Sequence, residues 1–198
     1  MKSNLFLLLL AVCWMPSLLH AQTLRGDGLK SSIVKYEMYS QDMKIPMTEY
    51  RDDYGKKVCT KMEIMGGEMG YIMNGDKAYM INYSQKQYME LNRPKDEIDY
   101  NEMTPEDIEK FKIKATGTGK FLEKDCTIYT SEMEAEGQTF KMEAWVYKGI
   151  ALKTVTKVDN GETADQRVAT SIEENPTIPA TVFEVPAGYS KMALPLPN

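Results

Sequence analysis

The chain has 198 residues, with 24 Lys+Arg, 29 Asp+Glu and a single histidine. Its formal net charge is −5 and no basic patch is visible, which argues against nucleic acid and anionic membrane surfaces as main partners. The histidine, His20, lies in a predicted secretion signal. Cleavage would leave a chain without histidine, which excludes histidine-based catalysis and histidine-ligated metal sites.

The first residues have the features of a secretory signal peptide. Lys2 precedes the uninterrupted apolar run Leu5–Met15, and the small residue Ala21 follows shortly after. The run is shorter than the roughly 20 residues that a membrane-spanning helix needs. We predict cleavage after Ala21, one folded domain over residues 22–192, and a frayed C-terminal tail over residues 193–198.

A lipid anchor is the alternative reading of the same segment. Leu10–Cys13 resembles a lipoprotein box, in which Cys13 would carry the lipid, but Val12 stands where a small residue is usual. We therefore expect a periplasmic or secreted protein, cut near Ala21, rather than one anchored at Cys13.

Two cysteines remain after cleavage, Cys59 and Cys126. An exported protein meets an oxidising compartment, in which they could form a disulfide. Strand alternation, however, puts Cys59 on a polar face with Lys61 and Glu63, and Cys126 on a face with Ile128. The sequence leaves the pairing open.

Period-two alternation dominates two blocks of the chain and predicts about ten strands. Asn74-Gly75 and Asn160-Gly161 mark hairpin turns, so the sheet should be antiparallel. Twist should curl so many strands towards a barrel or a sandwich. The predicted strands are 33–40, 44–54, 57–65, 69–73, 77–83, 86–91, 125–134, 138–148, 150–158 and 163–174.

One short helix is predicted between the two blocks, over residues 104–112. Thr104 is a good N-cap, and Pro105 suits the first helical position. Ile108 and Phe111 can share one helix face, so the helix could cover one mouth of a barrel. Gly117 and Gly119 are interpreted as part of a turn.

The residue types favour binding over catalysis. Neither cysteine has a histidine base that could generate a thiolate, and no nucleophile elbow or phosphate loop occurs. Glu132, Glu134 and Glu136 recur at spacing two, which is typical of a solvated strand face rather than of a calcium loop. We therefore predict no enzymatic activity, no catalytic residue, no metal site and no cofactor.

Methionine is unusually frequent, and nine of the 15 methionines fall between Met38 and Met89. Three interpretations stay open. Methionine could fill an irregular core, line an adaptable apolar cavity, or bind Cu(I) through spacings such as Met62/Met65 and Met65/Met69/Met73.

Several strands carry apolar groups on both faces, as Met80 does against its neighbours Tyr79 and Ile81. Such two-sided apolar strands indicate a curved sheet whose concave side is filled or holds a ligand. The predicted lining of that cavity is Met62, Ile64, Met73, Tyr79, Ile81 and Trp145.

Four segments resemble motifs of the LolA/LolB-like lipoprotein-carrier superfamily. These are the hairpin Tyr71–Met80, the segment Gly119–Tyr129, the hairpin Ala144–Lys153 and the closing segment Phe183–Tyr189. The resemblance covers roughly residues 30–192 and is most typical of a secreted bacterial branch known only as a domain of unknown function.

The resemblance implies an unclosed, half-open antiparallel β-barrel around an apolar cavity, with helices as a lid. Carriers of this superfamily hold the acyl chains of lipoproteins between membranes. The leading hypothesis is an exported, non-enzymatic protein that binds a lipid, a lipidated protein or another apolar ligand. The alternative is a protein-interaction scaffold of the cell envelope without a small ligand. The sequence does not predict an oligomeric state.

Overall fold

The computed structural model describes residues 24–25, 28–40, 43–93, 98–135 and 137–192. The predicted signal and the predicted frayed tail lie outside these residues, as do Cys13 and His20. No helix in the described part of the chain is long and apolar enough to cross a membrane.

The first half of the fold is an antiparallel meander. Its strands β2–β7 follow one another in the sheet in chain order. The two-residue strand β1, Leu24–Arg25, lies apart and pairs with β8, Glu102–Met103. The meander strands are β2 Ser32–Ser40, β3 Met43–Asp52, β4 Lys57–Ile64, β5 Gly67–Asn74, β6 Lys77–Asn82 and β7 Gln87–Leu91.

The second half continues the same sheet, because β13 pairs with β2. The complete sheet has 12 strands in the order β14-β7-β6-β5-β4-β3-β2-β13-β12-β11-β10-β9, and its edge strands β14 and β9 do not pair with each other. This confirms the predicted unclosed, mainly β fold. The added strands are β9 Lys114–Phe121, β10 Lys124–Ala135, β11 Gln138–Tyr147, β12 Ile150–Lys157, β13 Thr163–Glu174 and β14 Ser190–Lys191.

The predicted helix is α1, Pro105–Lys110. Thr104 caps it: its side chain accepts a hydrogen bond from the Asp107 amide, and the Asp107 carboxylate accepts one from the Thr104 amide at 3.0 Å. This reciprocal pair satisfies two amides that the helix itself leaves unbonded. The Phe111 carbonyl then accepts a bond from the Glu132 amide at 2.8 Å, which ties the end of the helix to β10.

One prediction of local structure is wrong. Gly117 and Gly119, interpreted as a turn, lie in the edge strand β9. Gly119 serves packing there, because a Cβ atom at this position would lie 2.5 Å from Cζ3 of Trp145. The missing side chain leaves room for the indole ring and does not mark the end of a strand.

The largest core cluster joins the two halves. It contains Val34, Tyr36 and Met47 from the first half together with Cys126 and Leu152 from the second. Both halves therefore belong to one folding unit, whose apolar contacts span most of the chain length.

Two further segments cover parts of the sheet. The C-terminal segment, residues 178–189, includes a 3-10 turn at Ala180–Phe183 and packs on strands β4–β7. The linking segment, residues 98–113, contains α1 and packs on β10, β11 and β12. We call these two segments the C-terminal cover and the central cover.

Candidate functional site

A cavity of about 270 Å³ lies between the central cover and the second half of the sheet. This volume is close to the lower end of the roughly 300–1,000 Å³ that is typical of ligand pockets. Most of the described lining is apolar, and Arg167 is the one charged side chain among the described residues that line it. The lining consists of Ile98, Tyr100, Phe111, Ser131, Met133, Phe140, Met142, Ala151, Thr154, Thr156 and Arg167.

Strand register brings the sheet side of this cavity together. Ser131 stands opposite Met142 on the neighbouring strand, and Met133 stands opposite Phe140. Directly opposite residues share one face of an antiparallel pair, so these four side chains point to the same side. Met133 is 44% exposed, which places it at the open rim of the cavity.

Tyr100 and Phe111 form the roof that the central cover contributes. The Tyr100 ring packs on the Tyr129 ring with centroids 5.6 Å apart. Burial raises the pKa of Tyr100 to about 12, so its hydroxyl is neutral at physiological pH. Phe111 is 4% exposed and packs with Met103 and Ile113 of the same segment.

A smaller polar pocket of about 120 Å³ adjoins the cavity and shares Ile98, Tyr100, Ala151 and Arg167 with it. At its centre the Glu49 carboxylate, only 6% exposed as a residue, lies between two guanidinium groups. The distances are 3.2 Å from Glu49 Oε1 to Arg51 Nη1 and 3.5 Å from Glu49 Oε2 to Arg167 Nη1. Paired guanidinium groups of this kind are what usually accompanies a carboxylate buried at this depth.

Tyr36 supports this ion cluster from below. The Arg167 guanidinium lies 4.7 Å from the centre of the Tyr36 ring, and the Tyr36 hydroxyl donates to the Ala151 carbonyl at 3.2 Å. Burial, helped by the nearby Glu49 charge, raises the pKa of Tyr36 far above its ordinary value. The phenol is therefore a fixed, neutral hydrogen-bond donor, and Arg167 is held where the polar pocket meets the apolar cavity.

This arrangement suits binding of a molecule that has an apolar part and a polar end. Among the described residues, no three His, Cys, Asp or Glu side chains come together in a way that could hold a metal ion. At the junction, Glu49 is ion-paired with Arg51 and with Arg167.

The structure does not bring the six predicted lining residues around one cavity. Met73 packs with Val58 and Ala78 on one side of the sheet. Tyr79 and Ile81 point to the opposite side, because they alternate with Ala78 along β6.

The other three predicted residues lie elsewhere in the fold. Met62 and Trp145 pack against the cluster that joins the two halves. Ile64 is the last residue of β4 and stands opposite Gly67. None of the six belongs to the lining of the cavity under the central cover.

The residues that line this cavity are not among those predicted from the sequence, although one signal for them was present. Phe140, Met142 and Ala144 alternate along β11 on the face opposite Trp145, and the first two of them line the cavity. The central cover carries the matching apolar side chains Ile98, Tyr100 and Phe111, but a short segment without strand alternation shows no such periodicity.

The two cysteines are free thiols in separate clusters. Cys59 lies with Ile72 and Phe183 beneath the C-terminal cover, whereas Cys126 belongs to the cluster that joins the halves. The disulfide is thus not formed. The predicted polar environment of Cys59 is also wrong, since the C-terminal cover buries this part of the Lys/Glu face and leaves Cys59 fully buried.

A family model described as a domain of unknown function (DUF4412) matches residues 22–175. No curated protein matches the chain in sequence. The family match agrees with the predicted branch of unknown function.

Solved structures share the fold at very low sequence identity. An uncharacterised conserved protein from Thermus thermophilus superposes with a TM-score of 0.60 at 7% identity, over 82% of this chain and 90% of that protein. MucB, in its complex with MucA from Pseudomonas aeruginosa, gives a TM-score of 0.54 at 8% identity, over 79% of this chain but only 56% of that chain.

A LolA superfamily protein from Nitrosomonas europaea also matches, with a TM-score of 0.39 and 9% identity over 83% of this chain and 94% of that protein. The two superpositions with TM-scores above 0.5, on the Thermus thermophilus protein and on MucB, show a shared fold. Identities this low carry no information about ligands.

Proposed function

We propose a binding function for this chain, which belongs to the DUF4412 family of domains of unknown function. The protein is a non-enzymatic binder of an apolar or amphipathic ligand, held in the cavity under the central cover. One observation carries this proposal: a largely apolar cavity of about 270 Å³ ends at the half-buried, ion-paired guanidinium group of Arg167.

The cavity matches an acyl chain or a similar apolar group with a polar end. Each CH₂ group taken from water into the cavity would contribute about 0.8 kcal/mol, so a short acyl segment is enough for firm binding. Met133, Met142 and Phe140 can adjust their side chains to ligands of different shape. Arg167 would face the polar end of the ligand, at the junction with the polar pocket.

The proposed location is the cell envelope, after export. Two observations support it: the signal-like segment that ends at Ala21, and a family match that begins at residue 22, directly after the proposed cut. The position of the cut can be read from the N-terminal mass of the exported protein.

Ligand binding is tested by native mass spectrometry and lipid extraction of the purified protein, followed by titration with a fluorescent fatty acid. Met133→Glu places a charge at the rim of the cavity and should weaken fatty-acid binding about tenfold or more. Met65→Glu is the matched control, because Met65 is 93% exposed and does not line the cavity. No co-purified lipid together with equal binding by both variants would disprove the proposal.

A second candidate function, an interaction scaffold for another protein, is favoured by a different feature. In the described part of the chain, the sheet ends in the exposed eight-residue edge strand β9, at the edge opposite β14.

A further inference from the structure

The edge strand β9 offers one side of its backbone to a partner. Within the described part of the chain it pairs with β10 alone, and residues 114–118 are all exposed. The opposite edge of the sheet differs, since it is closed by the two-residue strand β14, which runs parallel to β7.

The hairpin geometry shows which backbone groups of β9 point outward. Phe121 pairs with Lys124 across the two-residue turn Leu122-Glu123, whose residues have φ values of 48° and 57°. Such a turn is flanked by a hydrogen-bonded pair, and bonded and non-bonded pairs then alternate along the ladder. The amides and carbonyls of Lys120 and Thr118 therefore point away from β10.

Apart from one register shift at Thr116, the middle of this strand lacks the features that usually block an exposed edge. Residues 115–119 read Ala-Thr-Gly-Thr-Gly, with no proline, no charge and no bulky side chain. Protected edges are commonly short, charged, bulged or covered. β9 has lysines only at its two ends and one register shift, opposite Ile128 and Tyr129 of β10.

A groove of about 390 Å³ lies beside β9. The charged side chains that line it indicate which charge a partner should carry. Lys114, Thr130, Glu143 and Val155 form one row across β9–β12, and the row lines this groove. Its charged lining comprises four lysines and two glutamates: Lys112, Lys114, Lys141, Lys157, Glu132 and Glu143.

One of the two glutamates is already paired, since Glu132 accepts from Lys112 at 3.1 Å. With Lys112 and Glu132 compensating each other, three lysines remain against one glutamate in the described lining, so positive charge is in excess next to the open edge. Lys120, near the other end of the strand, is 70% exposed at its side chain and lies 3.8 Å from the Asp125 carboxylate, so it does not enter this count.

We propose that β9 binds an extended, acidic segment of a partner protein as an added antiparallel strand. Main-chain bonds to Thr118 and Lys120 align the segment, and its carboxylates face the lysines of the groove. A second copy of this chain is the poorer occupant, because pairing two β9 edges brings the lysines of one edge against those of the other.

The test uses two fluorescein-labelled peptides of eight residues that alternate threonine and valine in the middle. One has two glutamates at each end, and the other has two lysines at each end. Fluorescence anisotropy at low salt should show binding of the acidic peptide and at least tenfold weaker binding of the basic peptide. Equal binding of the two peptides would overturn the assigned charge.

Thr118→Pro tests the edge itself. Proline has no backbone N–H group, so this substitution removes the outward-pointing amide of residue 118. The hydrogen bonds between β9 and β10 do not use that amide and stay complete. We expect at least a tenfold loss of acidic-peptide affinity, with unchanged circular dichroism and unchanged fatty-acid binding. Unchanged peptide affinity in this variant, with the fold intact, would overturn the proposal.

Charge reversal provides a second, independent variant. Lys114→Glu combined with Lys141→Glu should exchange the preference of the protein for the two peptides. Lys77→Glu, an exposed lysine on β6, is the matched control and should change neither affinity. Self-association of the wild-type protein that Thr118→Pro abolishes would assign the edge to a second copy and overturn the acidic partner.

Discussion

The C-terminal cover and the central cover pack on the same sheet, but in the described part of the chain only the central cover leaves a cavity beneath it. The C-terminal cover seals its part: Phe183 is 1% exposed, and the three residues beneath it, Cys59, Ile72 and Ile81, are fully buried. The central cover also packs apolar side chains on strands, but a cavity of about 270 Å³ remains below it. The chain completes its own core at one site and leaves room at the other.

The difference follows from what each cover inserts. Phe183 reaches down between strands whose facing side chains are medium-sized, such as Ile72 and Ile81. Tyr100 and Phe111 instead lie above small residues, including Ala151, Ser131 and Thr154, which do not fill the space. Small side chains opposite large ones leave volume that a ligand can occupy.

Truncating the aromatic anchor of each cover should give the largest effect. Phe183→Ala should cost about 3–5 kcal/mol in the free energy of unfolding, because it opens a cavity in a filled core. Phe111→Ala enlarges a cavity that already exists, so we expect a loss at least about 1 kcal/mol smaller. Urea denaturation of both variants measures this, and equal losses would contradict the contrast between the covers.

The strand content of this fold could be predicted from the sequence, because alternation is local. The predicted 57–65 and 163–174 correspond to β4 Lys57–Ile64 and β13 Thr163–Glu174. The alternation of apolar and polar residues along a strand does not show which face of the strand another segment covers. The covering segment can be distant in the chain. Phe183 lies 124 residues beyond Cys59, the residue it covers.

The same limitation explains the misplaced lining residues. Methionine enrichment pointed to β4–β6, yet Met80 is 40% exposed there and Met73 is a core residue. The cavity lies instead in the second half, where Met133 and Met142 contribute to it. Methionine enrichment gives the number of such side chains in a region. The position of a cavity depends instead on where small side chains of the sheet lie beneath a covering segment.

Two glycines of the edge strand should respond differently to the same substitution. In Gly119→Ala the new methyl group would lie 2.5 Å from the Trp145 ring, which should cost about 1–3 kcal/mol. Gly117→Ala has open space around its Cβ position, so stability should stay unchanged or rise by about 0.4–1 kcal/mol. Thermal unfolding compares the two variants; a similar loss in both would mean that Trp145 does not fill the space over Gly119.

An ionic contact, rather than a cover, holds the hairpin turns of the second half to β13. The Glu174 carboxylate accepts hydrogen bonds from Lys124, Lys148 and Tyr147, the last two at 3.3 Å and 3.2 Å. The bond from Lys124, above all, lowers the pKa of Glu174 from its ordinary value of 4.5. The stabilisation is therefore complete above about pH 4.5 and is lost as the pH falls through the lowered pKa.

Glu174→Gln should reduce stability at pH 7 by about 1 kcal/mol, because these contacts are partly exposed to solvent. The difference from the wild-type protein should vanish at low pH, where the wild-type carboxyl is also protonated. Glu173→Gln is the matched control, since this neighbour is exposed. Unfolding curves between pH 3 and pH 7 measure the effect, and a difference that persists at the lowest pH would contradict it.

The smallest effect should come from reductant. Both thiols are free and buried, one beneath the C-terminal cover and one in the cluster that joins the halves. Burial raises the pKa of each thiol and thereby lowers its thiolate fraction, so neither should react with a thiol reagent in the folded protein. Two thiols should react in urea, and dithiothreitol should leave the unfolding midpoint unchanged.

If Phe183→Ala lifts the C-terminal cover, Cys59 should become reactive in that variant while Cys126 stays protected. Reaction of both thiols, or of neither, would show that the cover and the joining cluster do not open independently.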